Sequence, residues 1–132
     1  MPATLDARSQ ELLEAKNFAQ VGTIRSDGSP HVTPVWVDLK DGLVWLNSAE
    51  GRAWPKNLRR EPRVSLNVQN LENPYEYVEI RGRVVEDTHK GADEHIDSLA
   101  MKYLGQDTYP YRQPGEERVI FKISPEKVFH QG

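Results

Sequence analysis

The chain has 132 residues, a formal net charge of −3 and no cysteine. The length fits a single domain over residues 1–132, the acidic balance argues against a general nucleic-acid-binding surface, and the lack of cysteine excludes disulfides and thiolate metal sites. The N-terminal residues lack the charged and apolar regions of a signal peptide, and no apolar run approaches the ~20 residues of a membrane span. We therefore expect a cytoplasmic protein that binds neither nucleic acid nor membrane.

The first half of the chain is predicted to form one helix and then strands joined by tight turns. The predicted elements, in chain order, are a helix over residues 5–16 and strands over 18–24, 30–39 and 43–46. Asp27-Gly28 and Asp41-Gly42 supply the turns between these strands, because glycine takes a positive φ without strain. Two such turns predict an antiparallel meander of three strands.

The second half begins with a short helix. Pro55 is tolerated only in the first turn, so this helix should begin near Arg52 or Ala53, and Pro62 should end it at Glu61. The later strands are predicted over 64–68, over 75–85 with a bulge at Gly82, and over 118–123. A helix over 92–104, capped by Asp87 or Thr88, and a loop over 105–116 separate the last two strands, and Ser124-Pro125 should turn the chain after them. This pattern predicts a mainly β fold with peripheral helices, a closed or split β-barrel of about six antiparallel strands.

Residues 46–60 carry the strongest functional signal. An apolar strand runs through Gly51 into the start of a helix, where free backbone N–H groups and the helix dipole favour an anion. Arg52 and Lys56 stand at this point and can supply charge and donors, so we interpret the segment as a phosphate site. The alternative is a solvated helix face with surface ion pairs. Arg59 and Arg60 are expected to pair with nearby carboxylates, as is Arg63.

The order of these segments resembles the pyridoxamine-phosphate-oxidase-like split-barrel family, and within it the reductases that use the deazaflavin coenzyme F420. The resemblance rests on four stretches: 19–24 with 27–36, 47–52, 56–66 with its Asn-Leu-Arg-Arg-Glu-Pro-Arg-Val run, and 77–84 with Arg-Gly-Arg-Val. It implies an FMN-binding-like split barrel that forms a homodimer, with two cofactors in clefts at the subunit interface.

The resemblance also implies which residues meet the cofactor. The strand that would face the flavin-like ring contains His31, Thr33, Pro34, Val35 and Trp36. The phosphate end would meet Asn47, Ser48, Arg52, Trp54, Lys56 and Asn57, and Gln69 on a later strand would reach the same cleft. Trp54 departs from the family pattern, which often has a basic residue there, so an aromatic wall would replace a charge.

We expect an F420H2-dependent reductase that transfers a hydride to a small electron-poor organic substrate. The cofactor would carry the chemistry, so no nucleophile or carboxylate pair is required, and solvent, His31 or a tyrosine would supply the proton. The first alternative is an FMN-binding flavoprotein of the same fold. The second is a non-enzymatic barrel that binds a cofactor or haem.

Several aromatic and ionisable residues allow a purely structural interpretation. Trp36 and Trp54 are more simply core or dimer-interface residues than rings that stack on a cofactor, and Trp45 is most simply a core or interface residue as well. The loop that holds Tyr109 and Tyr111 either lines the substrate pocket or packs on the outside of the barrel. His89 and Asp93 share a helical spacing, but without a third ligand a solvated pair is the simpler interpretation, and no metal site is predicted.

Overall fold

A computed structural model describes residues 3–132 and confirms the predicted fold class. The elements are α1 (Ala7–Glu14), β1 (Ala19–Ile24), β2 (Pro30–Val35), β3 (Asp38–Lys40), β4 (Leu43–Ala49), α2 (Ala53–Arg60), β5 (Arg63–Gln69), β6 (Tyr77–Thr88), α3 (Ala92–Leu104) and β7 (Arg118–Gln131). All strand pairs are antiparallel and form one seven-stranded sheet in the order β2-β1-β5-β6-β7-β4-β3. Across residues 3–132, no helix is both long and apolar enough to cross a membrane.

The sheet is an open barrel whose two edges meet at one point of the chain. β2 lies at one edge and β3 at the other, yet only Trp36 and Val37 separate them. Val35 and Asp38 are three Cα steps apart, so these ends of the edge strands lie within about 11 Å of each other. The sheet must therefore curl on itself, and the edges part beyond this junction.

The expected three-stranded meander was wrong for this reason. Residues 30–39 do not form one strand, because β2 pairs with β1 while β3 pairs with β4. The side chain of Val37 is fully buried. The backbone N–H of Val37 donates a hydrogen bond to the Tyr103 hydroxyl over 3.1 Å. Lys102 donates to the Val37 carbonyl over 2.7 Å. Helix α3 thus holds the junction at which the chain changes edges.

Two further boundary predictions were wrong. β7 continues through Ser124-Pro125 to Gln131, so these two residues do not turn the chain. Pro125 lies opposite Gly82, next to a shift in the register of β6 and β7, which confirms the predicted bulge. Helix α3 is capped by Gly91 with a φ of 76°, and not by Asp87 or Thr88, which belong to β6. Glycine takes this left-handed conformation without the steric cost of a Cβ.

The core fills the concave side of the sheet. It includes Leu12 and Leu13 of α1, Leu58 of α2 and alternate residues of every long strand, such as Leu66 and Phe121. The helices cover parts of the barrel: α1 contacts β3, β5 and β6, α2 contacts β1, and α3 contacts β4 and β7. This packing brings the start of α2, the side of α3 and the edge strand β2 around one cleft.

Candidate functional site

A cavity of about 420 Å³ opens where the edge strand β2 faces the start of α2 and the loop after α3. Its size is within the range of small-molecule and cofactor sites. The lining residues are His31, Thr33, Pro34, Val35, Trp36, Asn47, Arg52, Ala53, Trp54, Ile96, Tyr109, Tyr111 and Arg118. The cleft therefore combines aromatic walls, arginines and the edge of a sheet.

The edge of β2 offers backbone hydrogen-bonding groups to this cavity. Residues of an antiparallel pair alternate between those whose N–H and C=O face the partner strand and those whose groups face away. Pro30 and Pro34 have no N–H, so they belong to the set that faces away from β1, together with Val32 between them. The Pro30 carbonyl accepts a hydrogen bond from Arg25 over 2.7 Å. The remaining groups on this edge have no backbone partner within residues 3–132. They are the carbonyl of Pro34, which lines the cavity, and the N–H and carbonyl of Val32, which does not.

The start of α2 places a cation and free N–H groups at the opposite wall. Gly51 has a φ of 93°, and Arg52 occupies the N-cap position with no side chain capping the helix. Ala53 and Trp54 then line the cavity. The first N–H groups of a helix lack intrahelical partners, and the dipole makes this end positive. The guanidinium of Arg52 forms no ion pair with any described residue, so it is available to an anion.

The other basic residues of this segment are already engaged. Arg59 forms a two-pronged ion pair with Glu50, at 2.5 and 2.7 Å, and Arg63 pairs with Glu61 at 2.8 Å. Arg60 donates to the Ile24 carbonyl over 2.6 Å instead of to a carboxylate. The expectation that these residues meet local partners is therefore confirmed for Arg59 and Arg63 and wrong for Arg60, whose partners are a backbone carbonyl and an amide.

The floor of the cavity contains a buried arginine that the sequence analysis did not single out. Arg118 is the first residue of β7 and is only 4% exposed. Its Nη1 donates to the Glu116 carboxylate, and its Nε donates to Asn47 Oδ1 over 2.9 Å. Burial alone would raise the pKa of Glu116, but the hydrogen bonds from Arg118 and from the Gln113 N–H hold it below its usual value. Arg118 and Glu116 are therefore a charged pair.

A hydrogen-bonded chain behind Asn47 determines the orientation of its amide. Arg118 Nε can only donate, so the Asn47 atom that faces it is the oxygen. Asn47 Nδ2 then donates to the Ala92 carbonyl over 2.9 Å and to His95 Nδ1, 3.1 Å away. His95 must accept at Nδ1 and carry its proton at Nε2, which lies 3.1 Å from Asp38 Oδ2. The chain from Asp38 to Arg118 is thus satisfied in a single arrangement.

Trp36 and the loop residues Tyr109 and Tyr111 form an aromatic wall of the cavity, and Tyr103 of α3 packs behind Trp36. Tyr103 stacks on Trp36 with the ring centroids 5.1 Å apart, and Tyr109 meets Trp36 edge-on at 5.9 Å. Tyr111 packs edge-on against Tyr109. The loop is tied to α3, because the Tyr109 N–H donates to Asp97 over 2.8 Å. Of the two interpretations of this loop, the one in which Tyr109 and Tyr111 line the pocket agrees with the structure.

His31 is the titratable side chain that β2 contributes to the cavity. Its Nδ1 is buried and has no hydrogen-bond partner among the described residues. A buried, unpaired ring nitrogen is costly in a folded protein. Because Nδ1 is shielded from the cavity, the His31 side chain can hydrogen-bond a molecule there only through Nε2 or after a rotation of the ring.

Most of the predicted site residues come together in this cavity, and a few do not. The predicted residues that line it are His31, Thr33, Pro34, Val35, Trp36, Asn47, Arg52 and Trp54, whereas Ser48, Lys56, Asn57 and Gln69 lie outside the lining. Lys56 is exposed and one helical turn after Arg52. Asn57 is buried and donates to the Thr23 hydroxyl over 3.0 Å, so it fastens α2 to β1. Gln69 donates to the Pro74 carbonyl, and the Ser48 side chain is fully buried.

His89 and Asp93 do not pair with each other. His89 Nε2 lies 2.5 Å from Glu50, and its Nδ1 lies 3.7 Å from Glu117, while Asp93 pairs with Arg112 at 2.8 Å. Glu50 also accepts both hydrogen bonds from Arg59. Glu50 therefore accepts hydrogen bonds from Arg59 and contacts His89 in this surface cluster, which also includes Glu117.

The chain belongs to the pyridoxamine 5'-phosphate oxidase family, because the model of that family matches residues 5–132. The family is named for an oxidoreductase, in agreement with the resemblance found in the sequence. No curated protein matches the chain by sequence.

Solved structures with this fold include proteins with different cofactors in their names. An F420 reductase is 24% identical over 95% of this chain and 98% of its own, with a TM-score of 0.82. A FAD-binding protein from Mesorhizobium loti is 25% identical over 98% of this chain and 96% of its own, with a TM-score of 0.69. A conserved hypothetical protein from Mycobacterium tuberculosis is 22% identical over 98% of this chain and 86% of its own, with a TM-score of 0.75. These similarities concern the fold.

Proposed function

We propose that the protein is an oxidoreductase that binds reduced coenzyme F420 in the cavity between β2 and α2 and uses it to reduce a small, electron-poor organic substrate. Membership of the oxidase family and the fold shared with an F420 reductase support this proposal. The observation that carries it is the unpaired Arg52 guanidinium at the start of α2, opposite an edge strand with free backbone groups.

The donors and acceptors of the cavity suit a flavin-like molecule. A pyrimidine-type ring edge carries amide-like groups, and the free Pro34 carbonyl on the edge of β2 can accept a hydrogen bond from such an N–H. Arg52 and the N–H groups of Ala53 and Trp54 are placed for a phosphate, with Lys56 one turn further along the exposed face. Trp54 is 6% exposed and packs on Phe121, so it supplies an apolar wall. The bound cofactor would supply the hydride.

The protein's own residues would then position the substrate and manage the proton. Trp36, Tyr109 and His31 line the cavity, where the two aromatic rings would pack on the substrate and His31 would pass a proton to it. The hydrogen-bonded chain from Asp38 to Arg118 would keep the Arg118 guanidinium oriented, so it need not reorganise when charge develops on the substrate.

The proposal includes a homodimer in which a second subunit covers the open side of the cavity. Val32 is 65% exposed and Phe129 52% exposed, although both lie on strands of the sheet. Val32 lies between His31 and Thr33, which line the cavity, so a partner that packs on Val32 would also reach the open side of the cavity. We place the protein in the cytoplasm as part of the same proposal, because the reduced cofactor would have to be regenerated there.

Titration with F420, followed by quenching of the cofactor fluorescence, tests this proposal. We expect saturable binding at micromolar F420, and Arg52→Met should weaken it about tenfold or more, because a hydrogen bond to a charged group is lost. Arg63→Met is the matched control, since Arg63 pairs with Glu61 outside the cavity. Equal affinities in the two variants would contradict the role of Arg52. A protein that purifies yellow with bound FMN and does not bind F420 would favour the FMN alternative.

A further inference from the structure

We propose that Arg118 is a substrate-binding residue whose Nη2 group donates a hydrogen bond to a carbonyl oxygen of a planar, uncharged substrate. This inference rests on the proposed function, because it assigns the acceptor side of the same cavity. Arg118 lines the cavity and is 4% exposed, and its Nε and Nη1 are committed to Asn47 and Glu116. Within residues 3–132, Nη2 is the part of the guanidinium left without a partner.

The charge of this site favours a neutral oxygen over an anion. The side chains of Arg118 and Glu116 are 2% and 5% exposed and form an ion pair, so the buried guanidinium already has a carboxylate as counter-ion. A carboxylate or phosphate bound at Nη2 would be repelled by the Glu116 carboxylate on the same guanidinium. A carbonyl oxygen accepts a hydrogen bond without adding charge. Arg52, which lacks a carboxylate partner, remains the better position for a phosphate.

The surroundings of Arg118 favour a flat molecule. The guanidinium lies over the ring of Tyr109, with its central carbon 5.1 Å from the ring centroid. Tyr109 in turn meets Trp36 and Tyr111 edge-on, so a continuous aromatic wall leads away from the donor. A planar ring can pack on this wall while an attached oxygen reaches Nη2.

The donor is held in place before any ligand arrives. Asp38 fixes the tautomer of His95, His95 fixes the amide of Asn47, and Asn47 fixes Nε of Arg118. An arginine that is already ordered loses little side-chain entropy on binding. Its rigid, planar donor arrangement also makes lysine a poor replacement at this position.

Equilibrium dialysis of two matched ligands tests the role of Arg118. The ligands are menadione, which has two ring carbonyls, and 2-methylnaphthalene, which has the same carbon skeleton without oxygen. Each is dialysed against the wild type, Arg118→Lys and Arg112→Lys, both with oxidised F420 and without cofactor. Arg112 is the matched control, because it also pairs with carboxylates, those of Asp93 and Asp97, but does not line the cavity.

We expect the wild type and Arg112→Lys to prefer menadione over 2-methylnaphthalene by about tenfold or more, and Arg118→Lys to lose most of this preference. If Arg118→Lys does not fold, the double variant Arg118→Gln with Glu116→Gln replaces it, because it leaves no unpaired buried charge. An unchanged preference in either variant, or no saturable binding of menadione by the wild type, would overturn the inference. Failure of the wild type to bind F420, with the menadione preference intact, would instead count against the proposed function alone.

Discussion

Gly82 of β6 leaves no room for a Cβ against β7, and its replacement tests how these two strands pack. A Cβ built at Gly82 would lie 2.4 Å from the Ser124 carbonyl oxygen and 2.9 Å from Ile123 Cγ2. The carbonyl belongs to the backbone of β7, so a side-chain rotation cannot relieve the clash and a strand has to move. We expect Gly82→Ala to lower the free energy of unfolding by about 3 kcal/mol, at the upper end of the usual cost of overpacking.

The assay is urea denaturation followed by tryptophan fluorescence, with thermal unfolding as a second measurement. A loss of about 3 kcal/mol corresponds to a fall in Tm of roughly 10 °C for a domain of this size. Gly22→Ala is the matched control, because a Cβ at Gly22 would meet the Ser65 carbonyl oxygen at an ordinary 3.5 Å. We expect this control to stay within about 1 kcal/mol of the wild type. Equal stability of the two variants would refute the packing described here.

The remaining predictions concern buried polar contacts and acid stability. Asn57→Ala should lower the free energy of unfolding by about 1–3 kcal/mol in urea denaturation, because it leaves the buried Thr23 hydroxyl without its partner; an unchanged midpoint would contradict this contact. Hydrogen bonds from Arg59 hold the pKa of Glu50 at about 2, against an ordinary value of 4.5. The unfolded chain therefore binds a proton there first, and stability falls as the pH drops from about 4.5 towards 2. Glu50→Gln should lose less stability than the wild type between pH 5.5 and pH 3, and an equal loss would argue against the ion pair.

Elements with strong local patterns were predictable from the sequence. The helix over residues 92–104 and the start of α2 were placed correctly, since apolar spacing and Pro55 determine them locally. The division of residues 30–39 between two edges was not predictable. The alternation of apolar and polar residues over 30–39 is the same whether they form one strand or two. The break between β2 and β3 depends on contacts of Val37 with Lys102 and Tyr103, which are distant in sequence.

The candidate site was likewise predictable where it depends on residues close in sequence, and not where it depends on residues that only the fold brings together. The free N–H groups and the basic residues at the start of α2 could be predicted from residues near one another, whereas the freedom of Arg52 depends on which carboxylates the fold brings to Arg59 and Arg63. Arg118 was missed because a charged residue at the start of a strand usually lies at the surface. Its one signal in the sequence is Glu116 two residues earlier, and burial of that pair is visible only in the folded protein.

Native mass spectrometry after incubation with F420 and FMN together tests the central claim most directly. The experiment reports the choice of cofactor and the oligomeric state in one spectrum. We expect a dimer that carries two molecules of F420, with occupancy that falls in Arg52→Met and is retained in Arg63→Met. A protein that binds neither cofactor at micromolar concentration would contradict the assignment of the cavity between β2 and α2 as a site for a flavin-like cofactor.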